Sequence, residues 1–96
     1  MPFIEINAAQ IYYQAFGSDQ PGKAPIVLIH GSTLTGQEDW GLVAPLLARR
    51  YRVIVPDCRG HGQSSNPTQS YSFKELADDT AALVRVLGYS RAHLIG

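Results

Sequence analysis

The run Pro25-Ile26-Val27-Leu28-Ile29, ending at His30-Gly31, carries the main architectural signal of this chain. Its apolar residues follow one another without polar alternation, and β-branched side chains predominate. A strand with one wet face alternates, whereas a strand covered on both faces does not, and double coverage is the habit of parallel sheets. Downstream, Tyr51-Arg52-Val53-Ile54-Val55-Pro56 repeats the pattern and opens into a loop from Asp57 to Ser70 that is rich in Gly, Ser, Asn and Pro. Ala92-His93-Leu94-Ile95 is a third, shorter run, followed by Gly96. Between these runs the apolar residues take helical spacing: Trp40, Val43, Leu46 and Leu47 in the first interval, and Phe73, Leu76, Thr80, Leu83, Val84 and Leu87 in the second. Alternating β and α elements imply an α/β fold built on a parallel sheet.

Local signals refine the boundaries. Ile4 and Ile6, then Ile11 and Tyr13, alternate on either side of Asn7-Ala8-Ala9-Gln10, which predicts an antiparallel hairpin ahead of the parallel strands. Gly17 to Lys23 is turn chemistry. Pro45 has no N–H to donate and suits a first helical turn, so a short turn is expected near Glu38–Leu42 and a helix through about Arg49. Ser72 and Glu75 have the spacing of a capping box, Tyr71 and Leu76 that of a hydrophobic staple, and Gly88 suits the residue after a helix end. Asp78-Asp79 falls within that helix and reads as a pair of solvated carboxylates.

Composition narrows the function classes. The chain has 96 residues, 45% of them hydrophobic, with eight Lys plus Arg against eight Asp plus Glu. This is the makeup of a folded chain, not a disordered one. Zero net charge, with Arg49, Arg50 and Arg52 as the main basic cluster, lacks the footprint of a nucleic-acid binder. A single cysteine, Cys58, allows neither a disulfide framework nor a multi-cysteine metal site, and in its position it reads as packed. The apolar runs fall far short of the ~20 residues that span a bilayer, and the stretch from Met1 to Glu5 does not read as a secretory signal. A cytoplasmic protein with no membrane partner is expected.

Two phosphate-binding motifs fail on inspection. Gly31 and Gly36 have P-loop spacing, but Gln37 and Glu38 stand where Lys and Ser or Thr are required. Gly60-His61-Gly62 lacks the third glycine of a dinucleotide fingerprint, and Pro67 follows where a helix should begin. A better account takes three segments together: His30-Gly31-Ser32-Thr33 after the first run, Asp57-Cys58-Arg59-Gly60-His61-Gly62-Gln63-Ser64 after the second, and Leu94-Ile95-Gly96 at the third. In that order and spacing the chain resembles the α/β-hydrolase fold family, in particular its lipid-, ester- and lactone-cleaving members with a His-Gly oxyanion loop.

The resemblance covers essentially the whole chain and implies the N-terminal part of a single α/β-hydrolase core domain, residues 1–96, with strand order 1-2-4-3-5. It implies acyl transfer by a Ser-His-Asp/Glu triad, with no cofactor and no metal. Ser32 is then the residue whose backbone N–H stabilises the oxyanion, and Gly31, Ser32, Thr33 and Trp40 are the expected substrate contacts, although Trp40 reads more readily as core than as pocket wall. His30 shapes the loop, and Asp57, Arg59 and His61 brace the second loop, while His93 reads as a core histidine. Gly96 matches the first glycine of Gly-x-Ser-x-Gly, which puts the nucleophile two residues further on, outside this segment together with the acid, the base and the lid. The remainder of the core is therefore expected as a continuation or a second chain, with a small acyl compound as substrate. Dehalogenases, epoxide hydrolases, haloperoxidases and non-catalytic ligand binders share the fold and stay open, although Ser32 stands where dehalogenases commonly place Asn.

Overall fold

The computed structural model describes residues 3–96; Met1 and Pro2, which open the stretch read above as no secretory signal, lie outside them. The described chain forms β1 (Phe3–Ile6), β2 (Ala9–Phe16), β3 (Ile26–Leu28), α1 (Gly36–Trp40), α2 (Ala44–Leu47), β4 (Val53–Pro56), α3 (Phe73–Val86) and β5 (His93–Ile95). The strands make one mixed sheet in the expected order β1-β2-β4-β3-β5. β1 and β2 pair antiparallel, as do β2 and β4, while β3 runs parallel to both β4 and β5. The hairpin turn is tighter than the sequence suggests: Ile6 already pairs with Ala9, and only Asn7 and Ala8 turn, both at positive φ (47° and 70°). Two consecutive residues at positive φ match the twist of the flanking strands.

Double coverage of β3 and β4 is directly visible. Val27 and Ile54 join Ile6, Ala9, Ile11 and Leu83 in one buried cluster; Ile26, Leu28, Val53 and Val55 join Ala44 in a second. Alternate residues of each strand thus serve opposite faces, one under α3 and the other under α1 and α2. α3 ends as the sequence indicates. Gly88 takes φ 94°, its N–H donates to the Arg85 carbonyl, and the Tyr89 N–H donates to Val84, which is the paired closure of a Schellman motif.

Three expectations are corrected. The helix expected through about Arg49 ends at Leu47; it is split at Gly41–Val43 from α1, which lies close to the short turn expected near Glu38–Leu42. The split breaks the helical phase, so Val43 and Leu46 are exposed and Ala44 is the residue fully buried against the sheet. At the start of α3, the Ser72 hydroxyl caps the Glu75 N–H at 3.1 Å, but the Glu75 carboxylate turns to the hydroxyls of Ser70 and Ser72. The box formed from both sides is Thr35–Glu38, at the start of α1. His93 is exposed, because β5 is the sheet's edge, and its ring meets Tyr51 edge-on at 6.0 Å.

The carboxylate of Asp79 overturns the reading of a solvated pair. It is buried and receives two hydrogen bonds from Arg59, at 2.7 and 3.0 Å, and one from the Asn7 amide at 3.1 Å. Arg59 also donates to the Asn7 carbonyl. The pair therefore ties α3 to the hairpin turn and to the loop after β4, and the bonded carboxylate holds the guanidinium pKa above its ordinary value. Removing one member of a buried pair leaves the other charge uncompensated, at about 3–5 kcal/mol. Asp79→Ala in the intact protein should lower unfolding free energy by that order in chemical denaturation. Asp78→Ala, which removes only an exposed pair with Lys74, should change it by no more than ~1 kcal/mol.

Candidate active site at the end of β3

β3 delivers the chain to the sheet's upper edge, where Ile29 donates its N–H to the Ile95 carbonyl at 2.8 Å. The next residue, His30, is buried. Its Nε2 accepts the Cys58 N–H at 2.9 Å, so the ring proton sits on Nδ1, which donates to the Gly31 carbonyl at 2.7 Å. With both nitrogens occupied, this histidine is a strut between two loops. The same Gly31 carbonyl accepts the Leu34 N–H at 3.1 Å, closing a turn with Ser32 and Thr33 at its centre.

Several polar groups around that turn have partners. The Gly31 N–H donates to Asp39 at 2.8 Å, the Ser32 carbonyl faces His61 Nε2 at 2.8 Å, and the Thr35 N–H donates to Glu38 at 3.0 Å. The Gly36 N–H donates to buried Asp57 at 2.9 Å. Among the described residues, the Ser32 and Thr33 N–H groups have no partner, and both residues are exposed. Two unpaired amide donors on a turn held from both sides are chemically able to donate to an oxygen that carries negative charge. The end of β5 lies beside Ile29, two residues before the turn: a Cβ on Gly96 would lie 3.4 Å from that of Ile29.

The expected contacts Gly31, Ser32 and Thr33 come together on this one turn. Trp40 lies half-buried below it, with its ring packed on the second core cluster and its indole N–H donating to the Ile29 carbonyl at 3.0 Å. Asp39 and the Thr35–Glu38 box support the turn and were not singled out in the sequence. The Thr-x-x-Glu spacing was the available signal for the box, whereas nothing in the sequence marks Asp39. Cys58 is half-buried; burial first, and then the nearby Asp57 and Asp79 charges, push its thiol pKa up, away from a reactive thiolate.

Comparison with known proteins assigns this arrangement to a family. A model of the alpha/beta hydrolase fold matches residues 24–96. The chain is 42% identical over 81 residues to a fluoroacetate dehalogenase of Burkholderia sp., covering 78% of this chain and 26% of that protein. It is 37% identical over 91 residues to a soluble epoxide hydrolase of Corynebacterium sp. strain C12, covering 95% of this chain and 30% of the relative. The solved structure of Est816, an N-acyl homoserine lactone degrading enzyme, superposes with a TM-score of 0.86 at 36% identity, covering 99% of this chain and 35% of that one. The chain belongs to the α/β-hydrolase fold family and spans about a quarter to a third of the length of these relatives.

The chain just after the turn is tied at Gly36 to Asp57, whose second oxygen accepts the Gln63 N–H at 3.1 Å. Asp57→Asn replaces one of two committed acceptors by an amide donor that faces another N–H. An unsatisfied buried donor costs about 1–3 kcal/mol. A loss of that size in the intact protein, with the Ser32 and Thr33 amide signals shifted in NMR spectra, is the expected result.

Proposed function

We propose that the intact protein is a serine hydrolase that cleaves a carboxylic ester, lactone or related acyl bond, and that this segment supplies its oxyanion loop. The observation that carries the reading is the pair of unpaired N–H groups at Ser32 and Thr33 on a turn held at Gly31 and at the Ser32 carbonyl. In acyl transfer the attacked carbonyl oxygen gains negative charge, and fixed donors already aimed at it stabilise that charge without reorganisation. Ser32 N–H is the donor in this reading, with Gly31, Thr33 and Trp40 along the substrate path. The nucleophile belongs to the turn entered at Gly96, and the triad's acid and base to the remainder of the core. The reading needs no cofactor, takes a small acyl compound as substrate, and places the reaction in the cytoplasm.

A second reading is dehalogenase or epoxide hydrolase chemistry, favoured by the 42% and 37% identities to such relatives. Fluorophosphonate labelling separates the two: a serine nucleophile is labelled and an aspartate nucleophile is not. Within the first reading, Ser32→Ala keeps the backbone N–H and should leave kcat on p-nitrophenyl esters within about threefold. Ser32→Pro removes the donor and should lower kcat about 10²–10³-fold, with thermal melting to confirm that the variant folds.

The remainder of the core is also the proposed cover for β5. Leu94 is 60% and Ile95 41% exposed on this edge strand, beside an apolar groove of about 520 Å³ lined by Ile29, Leu76, Val84 and Leu94. A bare apolar edge is a template for aggregation. Residues 1–96 expressed alone should therefore show no cooperative thermal transition in near-ultraviolet circular dichroism; such a transition in a monomer would overturn the expectation.

A further inference from the structure

The basic residues of this chain gather at one end of the sheet. β3, β4 and β5 run parallel, so the segments that lead into them, residues 17–25, 48–52 and 87–92, lie at the end opposite the Ser32 turn. Five of the eight Lys and Arg residues are there: Lys23, Arg49, Arg50, Arg52 and Arg91. Asp19 is the one carboxylate in those segments, and it accepts the Tyr89 hydroxyl at 2.5 Å. Among the described residues none of the five cations makes an ion pair; the pairs that form involve Arg59 and Lys74. Arg52 donates to the Gly17 carbonyl, which occupies an N–H without cancelling the charge.

A cleft of about 310 Å³ opens among these residues, lined by Lys23, Tyr51, Arg91 and His93, and a second of about 270 Å³ shares Lys23 and Arg91 with it. Neither cleft has a carboxylate in its lining. Lys23 is held in place: its ammonium donates to the Arg50 carbonyl at 3.3 Å and sits 4.7 Å from the centre of the Tyr51 ring. An ammonium has three N–H groups, so donors remain beyond that bond. The Arg91 guanidinium has neither a hydrogen bond nor an ion pair among the described residues, and its side chain is exposed. His93 stands edge-on to the same Tyr51 ring at 6.0 Å and adds a ring N–H.

We propose that the cleft between Lys23 and Arg91 binds a phosphate group, at the end of the sheet opposite the acyl site. The inference does not depend on the acyl-hydrolase reading. A guanidinium presents a planar fork that takes two oxygens of one phosphate, and an ammonium acts as a compact point charge on another. A phosphate dianion answers both cations at once, whereas a single carboxylate leaves one of them unmatched. A cationic compound finds no counter-charge in either lining. Free phosphate, a small phosphomonoester and a phospholipid headgroup share this chemistry. Because the Ser32 turn lies at the other end of the sheet, phosphate and an acyl substrate can be held together.

The test uses the intact ¹⁵N-labelled protein at pH 7.5, with sodium chloride exchanged for sodium phosphate at constant ionic strength. Saturable shifts of the Lys23, Tyr51, Arg91 and His93 amide signals are expected, half complete at on the order of 1 mM phosphate, with Ser32 and Thr33 unmoved. Lys23→Gln and Arg91→Gln should each weaken binding about tenfold or more, the worth of a hydrogen bond to a charged group. Arg91→Lys, which keeps the charge and loses the fork, should weaken it less than Arg91→Gln. Lys74→Gln, which removes an exposed cation elsewhere, should leave it unchanged. Thermal melting checks that each variant folds. Shifts that do not saturate, or that persist in the Lys23→Gln, Arg91→Gln double variant, report ion screening only and overturn the proposal. Acetate binding as tightly as phosphate overturns the assignment to phosphate. Given saturable binding, vesicles separate the sources. Sedimentation with phosphatidylcholine vesicles containing phosphatidic acid, lost in Arg91→Gln, supports a lipid headgroup; sedimentation no greater than with phosphatidylcholine alone supports a soluble phosphate.

Discussion

The buried carboxylate of Asp57 is the constraint around which the site is assembled. It sits at the end of β4, and its two oxygens accept amides from two different loops, Gly36 at the start of α1 and Gln63 in the loop that follows. Its own backbone is equally committed, with the N–H donating to Tyr12 on β2 and the carbonyl accepting the Ser64 hydroxyl at 2.6 Å. Hydrogen bonds to a charged acceptor are stronger than neutral ones, and a buried carboxylate is tolerable only when paired or well bonded. One residue therefore fixes β2, β4, the entry to α1 and the second loop in a single arrangement.

That arrangement makes severe demands on space, and glycines meet them. A Cβ at Gly36 would come within 2.7 Å of Val55, so α1 could not approach β4 closely enough for its first amide to reach Asp57. Gly62 combines positive φ (52°) with a position where a Cβ would fall on the Asp57 carboxylate itself. The two close approaches bring the loop after β3 and the loop after β4 against each other. His30 and His61 then bridge the gap from opposite sides, His30 to the Cys58 amide and His61 to the Ser32 carbonyl.

The sheet was legible in the sequence because its cause is local. Continuous apolar runs at β3 and β4 report double coverage, and the end of α3 was marked by Gly88. The sheet order came from the resemblance rather than from the residues themselves. Asp79 was misread because helical periodicity says which residues share a face, not what will arrive to meet them. Its partners Arg59 and Asn7 lie 20 and 72 residues away in the chain. The exposure of Val43 and Leu46 has a related cause. Trp40, Val43, Leu46 and Leu47 have helical spacing, but only Trp40 and Leu47 pack on the second core cluster. The position of Ser32 on the turn was legible; the support from Asp39 was not, because a single exposed carboxylate carries no pattern.

The free donors occur where they do because their neighbours are already bonded. Backbone amides normally find partners, and an exposed turn can always use water. Here the neighbouring groups are held so firmly that Ser32 and Thr33 cannot rotate their amides into the turn without breaking several bonds at once. Gly31 is held at its N–H by Asp39 and at its carbonyl by both His30 and Leu34. The negative Asp39 side chain beside the turn is exposed and screened by solvent. Its position opposite the N–H of Gly31 serves to lock the turn. The donors gain their directionality from rigid neighbours rather than from any positive side chain aimed at the site.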